Sequence, residues 1–272
     1  MNELALFAGA GGGILGGKLL GWRTVCAVEW EAYPASVLCA RQNDGLLPPF
    51  PIWDDVQTFD GTPWRGIVDV VSGGFPCQDI SAAGKGAGID GERSGMWGEM
   101  ARIICEVRPR FVFVENSPML TSRGLGRVLG DLASMGFDAR WGVLGAADVG
   151  ANHQRDRIWI VGTNLANAKK LFSNGCNNNA KISMERKTQC ELGNNSWSSS
   201  ISNSNSPQFQ RGELSKRTKS QDSYASDSRW WETEPNVGRM VDGMAFGVDR
   251  LKAIGNGQVP LCAATAWRIL SE

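Results

Sequence analysis

The residue with the clearest chemical potential is Cys77, in the stretch that spans residues 73–81. It follows residues 67–71, which are rich in β-branched side chains and predict a buried strand that ends in a turn. Open α/β sheets present reactive groups just past such strand ends. Pro76 restricts the backbone before the thiol, and the glycines at 73 and 74 let the chain bend. We therefore predict that Cys77 is a nucleophile, with a buried structural cysteine as the alternative.

Other reactive side chains also stand where predicted strands begin or end. Residues 111–114 predict a strand that ends at Glu115, and Arg155 and Arg157 precede a strand over residues 158–161. The two arginines have the spacing of one face of a strand. A carboxyl group can exchange a proton with a substrate, and guanidinium groups can hold an anion or a base. A surface salt bridge is the alternative for either arginine.

The N-terminal region predicts a strand, a glycine loop and a helix. Apolar residues 3–7 lead into a glycine-rich segment at 9–13, and apolar residues follow at 14–20. Such a loop lets the backbone approach a ligand and directs helix N-terminal amides at it. The pattern indicates a nucleotide-like cofactor, but the glycine spacing alone does not identify which one.

The next two strand ends carry acidic residues. A strand over residues 24–28 ends at Glu29, whose carboxylate is placed to accept hydrogen bonds from ribose hydroxyls. Trp30 beside it can stack on a base or pack as an ordinary aromatic residue. Residues 52–56 predict a third strand end, which carries Asp55.

Composition excludes several classes. The 272 residues are 42% hydrophobic and 21% charged, which is typical of a soluble globular protein. Seven cysteines without a Cys-x-x-Cys pair, together with one histidine, argue against a disulfide framework and a zinc site, so no metal is expected. The apolar N-terminus carries Glu3 and is broken by glycines, so we predict no signal peptide, no membrane span and a cytoplasmic location.

The region after residue 164 differs in character. Within residues 173–206, 17 of 34 residues are serine or asparagine, a composition that buries little apolar surface. Residues 169–219 hold 9 basic and 3 acidic side chains within a chain of zero net charge. This local excess indicates either a footprint for phosphates or a solvated loop.

Taken together, these stretches resemble the cytosine-C5 DNA methyltransferases of the bacterial and phage type. The matching segments stand in the family's order and fall at predicted strand ends or turns; they are residues 7–12, 29–30, 55, 74–78, 115–116, 155–157 and 255–256. The resemblance implies an α/β fold, with a Rossmann-like S-adenosylmethionine-dependent domain and a small irregular target-recognition insert. It divides the chain into a catalytic domain (1–165), a target-recognition region (166–235) and a returning C-terminal segment (236–272).

The resemblance also implies roles for single residues. It assigns catalysis to Cys77, Glu115, Arg155 and Arg157. It assigns S-adenosylmethionine binding to Phe7, Gly9, Gly11, Gly12, Glu29, Trp30, Asp55, Pro76 and Asn256. It assigns contacts with double-stranded DNA to Gln78, Ser81, Lys85 and Arg93. Two features depart from the family's pattern: His153 stands where glutamine is common, and the recognition region is short.

The implied reaction suits these residue types. Cytosine C5 is a poor nucleophile until a thiolate adds at C6, and Glu115 can neutralise the charge that develops on the ring. The base must leave the DNA stack, and residues 81–95 form a loop placed to close behind it. A cognate restriction endonuclease is an expected further partner, and the chemistry needs only one chain. The alternatives are a tRNA cytosine methyltransferase, a catalytically silent DNA-binding relative and a nicotinamide oxidoreductase.

Overall fold

The computed structural model describes residues 1–76, 96–166 and 247–272. Within these ranges one sheet contains seven strands in the order β3-β2-β1-β4-β5-β7-β6. Strands β3, β2, β1, β4 and β5 are parallel, whereas β7 runs antiparallel to both β5 and β6. The strands are β1 (Asn2–Leu6), β2 (Arg23–Val28), β3 (Ile52–Trp53), β4 (Val70–Gly73), β5 (Phe111–Asn116), β6 (Phe137–Leu144) and β7 (Arg157–Asn164).

Helices connect the strands, and two more helices come after the last strand in the sequence. They are α1 (Gly12–Leu19), α2 (Ala32–Asn43), α3 (Met96–Val107), α4 (Leu120–Arg123), α5 (Leu125–Ser134), α6 (Gly247–Asn256) and α7 (Pro260–Leu270). Short 3₁₀ turns lie at Thr62–Trp64 and Ala147–Val149. The helix α7 packs against α1 and against the antiparallel strands, so the C-terminus returns to the N-terminal glycine loop.

The core follows from the apolar pattern of the helices. Met100, Ile103, Ile104 and Val107 of α3 are fully buried, and their spacing places them on one helical face. They belong to a cluster that includes Leu4, Leu6 and Val114 of the sheet. A second cluster forms around the aromatic rings of Trp22, Phe113, Trp159 and Trp267. The two clusters hold the parallel strand ends rigidly in place.

The predicted α/β fold is confirmed, and most predicted elements are present. The strand predicted over residues 67–71 is the main correction, because β4 is Val70–Gly73. Ile67 and Val68 instead donate backbone hydrogen bonds to Trp64 O, in a turn after the first 3₁₀ segment. Local β-propensity is overridden there by the turn that leads into the sheet. Glu115 lies inside β5, one residue from its end.

Several predictions lie outside the described residues. They are Cys77, Gln78, Ser81, Lys85 and Arg93, and all of the target-recognition region except residue 166. In the described ranges no helix is long and apolar enough to cross a membrane. The same ranges contain no group of three or more His, Cys, Asp or Glu side chains that could hold a metal ion.

The sheet also buries a carboxyl group, that of Glu3 at the start of β1. Its side chain accepts hydrogen bonds from Thr24 Oγ1 at 2.8 Å and Ser72 Oγ at 2.6 Å, on the two flanking strands. Burial raises the pKa of Glu3, and the two hydroxyl donors only partly offset this effect. Glu3 therefore links β2, β1 and β4 by side chains as well as by backbone bonds.

We expect Glu3→Gln to change the pH dependence of stability. Because the folded pKa of Glu3 is raised, its stabilising contribution is complete below the unfolded pKa and is lost as the pH rises through the folded pKa. Glutamine keeps the shape and carries no charge. The difference in free energy of unfolding between the variant and the wild type should therefore shift in favour of the variant as the pH rises. Urea unfolding at pH 5 and pH 8 measures this, and a pH-independent difference would contradict it.

Candidate active site

The C-terminal ends of the parallel strands open onto one cavity of about 470 Å³. Its wall is formed by Phe7 after β1, Glu29 after β2, Asp55 after β3, Pro76 after β4 and Glu115 in β5. This is the edge at which open α/β sheets bind ligands. The structure thus brings together residues that are widely separated in the sequence. Gly9, Trp30, Arg157 and Asn256 line the same cavity.

At one end of the cavity, Glu29 is held by two backbone amides. Gly9 N donates to Glu29 Oε2 at 2.7 Å, and Glu31 N donates to Oε1 at 2.8 Å. Burial raises the pKa of Glu29, and these amide donors lower it in part. The carboxylate is consequently fixed in orientation, and it still borders the cavity.

An aromatic ring and acidic side chains lie near Glu29. Trp30 is 72% exposed, although it lines the cavity, so its ring is available to a ligand rather than committed to the core. Asp55 Oδ1 accepts a hydrogen bond from Gln57 N at 2.9 Å, which fixes the turn after β3. Asp54 and Gln57 also line this end of the cavity. The sequence analysis did not select either, because only the fold shows that the whole turn faces the cavity.

The turn after β1 has an unusual backbone. Phe7 has φ of 51°, and Gly9 and Gly11 have φ of 54° and 90°. Positive φ is uncommon for a residue with a large side chain and often occurs at functional sites. Phe7 and Gly9 both line the cavity.

Gly11 and Gly12 lie close to other parts of the chain. A Cβ atom on Gly11 would lie 2.8 Å from Leu38 Cδ2, and one on Gly12 would collide with the backbone oxygen of Gln258. Neither glycine is among the residues that line the main cavity. Their small size admits α2 and the α6–α7 connection, so they support the site through packing.

We expect Gly12→Ala to destabilise the protein by about 2–4 kcal/mol and to weaken cofactor binding, because a backbone segment must move. Gly126→Ala in α5 is the matched control, since a Cβ there meets no atom within 4 Å. The free energy of unfolding of Gly126→Ala should equal that of the wild type or exceed it by up to about 1 kcal/mol. Thermal unfolding and ligand titration measure both effects. Equal stability of the two variants would contradict the packing role.

At the other end of the cavity, Glu115 pairs with Arg157. The Nε atom of Arg157 lies 2.8 Å from Glu115 Oε1, and Glu115 is 9% exposed. Burial raises the pKa of Glu115, whereas the positive charges of Arg157 and Arg155 oppose the rise. A buried carboxyl with a raised pKa can deliver a proton to a base near neutral pH.

The segment before Cys77 is hydrogen-bonded to β5, the strand that contains Glu115. Asn116 Nδ2 donates to Phe75 O at 3.1 Å, and Phe75 packs against Trp97 of α3. Pro76, which precedes Cys77, lines the cavity together with Glu115. The described part of the chain therefore ends at the cavity wall, one residue before Cys77.

Arg155 makes a different set of contacts from Arg157. Its Nη2 donates to the backbone oxygens of Gly255 at 2.6 Å and Gly257 at 2.5 Å. Arg155 does not line the main cavity, whereas Arg157 does. The two arginines thus bind different partners, although their spacing in the sequence is that of one face of a strand.

Sequence reasoning missed Gln258, which enters the site from the connection between α6 and α7. Its Nε2 lies 3.5 Å from Glu115 Oε2. No local sequence signal marks this side chain, since it lies 143 positions from Glu115. The neighbouring Asn256, at the end of α6, lines the cavity.

Comparison with known proteins agrees with this geometry. The family model for the C-5 cytosine-specific DNA methylases matches residues 1–259. The chain belongs to this family. S-adenosylmethionine is the methyl donor of the C-5 cytosine-specific DNA methylases, and the recognition of the family from the sequence is confirmed.

Individual relatives match somewhat more than half of this chain. The type II methyltransferase M.Eco47II of Escherichia coli is 36% identical over 169 residues, which cover 58% of this chain and 38% of that protein. M.NgoBI of Neisseria gonorrhoeae is 34% identical over 165 residues, covering 59% of this chain and 50% of that protein. The chain thus spans half or less of the length of these relatives.

A solved structure supports the fold. It is a DNA modification methyltransferase encoded within an E. coli prophage, with 22% identity and a TM-score of 0.50. The match covers 62% of this chain and 48% of that chain.

Proposed function

We propose that this chain transfers a methyl group from S-adenosylmethionine to C5 of a flipped cytosine in a specific double-stranded DNA sequence, through a covalent bond between Cys77 and C6. One observation carries the proposal. The Glu115–Arg157 pair shares a single cavity with Glu29 and Trp30. A cytosine beside Glu115 and a cofactor nucleoside beside Glu29 could therefore occupy this cavity together.

The cavity fits the cofactor at the end formed by Glu29. The Glu29 carboxylate has both oxygens fixed by backbone amides, and it can accept hydrogen bonds from the ribose hydroxyls. Trp30 offers an exposed ring face for adenine, with Asp55 beside it. Phe7, Gly9, Pro76 and Asn256 would border the rest of the cofactor. When bound, S-adenosylmethionine supplies an electrophilic methyl group.

The first chemical step would belong to Cys77 and Glu115. The Cys77 thiolate adds to C6 of cytosine, which forms a C–S bond and breaks the 5,6 double bond. The electrons move toward N3, and Glu115 supplies a proton there. Arg157, bonded to Glu115 Oε1, keeps the carboxyl oriented and places positive charge beside the ring. C5 thereby becomes nucleophilic.

The second step would release the product. After C5 has gained the methyl group, loss of the C5 proton to a base restores the 5,6 double bond and expels the Cys77 thiolate. Glu115 recovers its proton from N3. A thiolate suits both steps because it is a strong nucleophile and a good leaving group.

Recognition of DNA would involve two segments that, apart from residue 166, lie outside the described residues. We propose that Gln78, Ser81, Lys85 and Arg93 contact the DNA and that residues 166–235 read the sequence. Polar and basic side chains of this kind bind base edges and phosphates. A single chain suffices for the reaction, and a restriction endonuclease of matching specificity is a proposed partner in the cell.

Expression in a bacterial host that lacks cytosine methylation tests the function. Bisulfite sequencing of the host DNA should reveal C5 methylation at one short motif. An RNA fraction from the same cells, sequenced in the same way, tests the tRNA alternative. Modified RNA with unmodified DNA would overturn the DNA assignment. Neither product, from a folded protein that binds S-adenosylmethionine, would indicate the silent relative.

A further inference from the structure

The connection between α6 and α7 is fixed in place on two sides. Only residues 257–259 separate the end of α6 at Asn256 from the start of α7 at Pro260. Arg155 donates to the oxygens of Gly255 and Gly257, at the negative end of the α6 dipole. On the other side, Lys252 of α6 forms an ion pair of 2.7 Å with Glu31 beside α2. The side chain of Gln258 is therefore presented from a constrained backbone.

Glycines make the space that Gln258 occupies. A Cβ atom on Gly13 would lie 2.5 Å from Gln258 Oε1, and one on Gly74 would lie 3.2 Å from Gln258 Nε2. The Gly74 Cβ would also lie 2.5 Å from Glu115 Oε2. Gln258 thus passes between the start of α1 and the turn after β4, and it reaches the carboxyl group there.

The two oxygens of Glu115 have different partners. Arg157 Nε binds Oε1 at 2.8 Å, and Gln258 Nε2 faces Oε2 at 3.5 Å. The amide of Gln258 contains both a donor and an acceptor. Its nitrogen can donate to the ionised carboxylate, and after rotation its oxygen can accept the proton of the neutral acid. A lysine or arginine at this position could serve only the ionised form.

From this arrangement we infer that Gln258 is a positioning residue for Glu115, which orients Oε2 in both protonation states during proton transfer to and from the base. This inference rests on the proposed function for its kinetic consequence. The contact itself does not depend on which substrate the protein uses. Because Asn256, at the end of α6, also lines the cavity, the connection that carries Gln258 lies between a cavity-lining residue and the contact with Glu115.

The first test follows the ionisation of Glu115 directly and requires no activity. Glutamate is labelled with ¹³C at Cδ, and the signal absent from Glu115→Gln identifies Glu115. The hydrogen bond from Gln258 lowers the pKa of Glu115. The titration midpoint should therefore move to higher pH in Gln258→Met. Gln258→Glu places a second carboxyl at the same length, so the two acids should titrate as a coupled pair.

Gln42→Met is the matched control for this titration. The side chain of Gln42 accepts from the Phe50 amide at 3.1 Å and does not line the cavity. The Glu115 midpoint should be the same in this variant as in the wild type. An unmoved midpoint in both Gln258 variants, with the fold intact, would overturn the inference whatever the substrate is.

The second test uses the methylated DNA motif found for the wild type. At saturating S-adenosylmethionine, Gln258→Met should slow single-turnover transfer about 10-fold, and the Kd of the cofactor should change less than about 3-fold. In the Glu115→Gln background, Gln258→Met should add no further loss, because its effect acts through Glu115. An equal loss in both backgrounds would identify a purely structural role and contradict the inference. Absence of transfer by the wild type would count against the proposed function alone, since the titration is independent of it.

Discussion

Cys77→Ala is expected to lower single-turnover methyl transfer by at least about 10³-fold, the largest effect of any single change in this chain. Without a thiolate at C6, C5 of cytosine stays too weak a nucleophile to take the methyl group. Glu29, Trp30 and Asp55 line the cavity and form the proposed cofactor end, so S-adenosylmethionine should still bind. Transfer of a labelled methyl group to the target duplex measures the first effect, and tryptophan fluorescence measures the second.

Cys39→Ala is the matched control for Cys77→Ala. Cys39 is an exposed cysteine on α2, and its replacement should leave the transfer rate unchanged. Turnover near the wild-type rate in Cys77→Ala would overturn the covalent mechanism. Loss of cofactor binding in the same variant would indicate that the replacement disturbs the cavity rather than removing a nucleophile.

Glu115→Gln is expected to slow the chemical step by about 10²- to 10³-fold. Glutamine can still accept the hydrogen bond from Arg157, but it has no acidic proton to give to N3. In the proposed mechanism the neutral form of Glu115 is the active one, so wild-type activity should fall as the pH rises through its raised pKa. The variant should lack this decline. Single-turnover rates across pH, at saturating cofactor, measure both predictions.

Glu106→Gln controls for the loss of an arginine-paired carboxylate. Glu106 pairs with Arg102 on α3 at 2.7 Å and does not line the cavity. This control should keep both the rate and the pH dependence of the wild type. An unchanged single-turnover rate in Glu115→Gln would remove Glu115 from the mechanism. A reduced rate with an unchanged pH profile would reduce its role to holding Arg157.

Local patterns were enough to predict most of the elements that carry the site. Apolar runs bounded by glycine or a carboxylate predicted the strands that end near Phe7 and Glu29. These features depend on neighbours along the chain, because turn chemistry and side-chain periodicity act over a few residues. The start of β4 was misplaced because Ile67 and Val68 have strand propensity but are held in a turn by Trp64.

The binding partners of the site residues could not be predicted, because no local sequence pattern encodes contacts between distant parts of the chain. Arg155 and Arg157 share a spacing, yet Arg155 binds the end of α6 and Arg157 binds Glu115. Gly11 and Gly12 belong to a motif for ligand approach, yet they make room for Leu38 and for the backbone of Gln258.

Residue types and their order along the chain were sufficient to identify the family and the α/β fold. The strand ends that carry the matching segments follow from local sequence. Only the tertiary structure decided which groups contact Glu115, because the return of α6 and α7 to the glycine loop brings Gln258 across 143 positions of sequence. Such a contact is set by the packing of α7 on α1, which depends on the whole core.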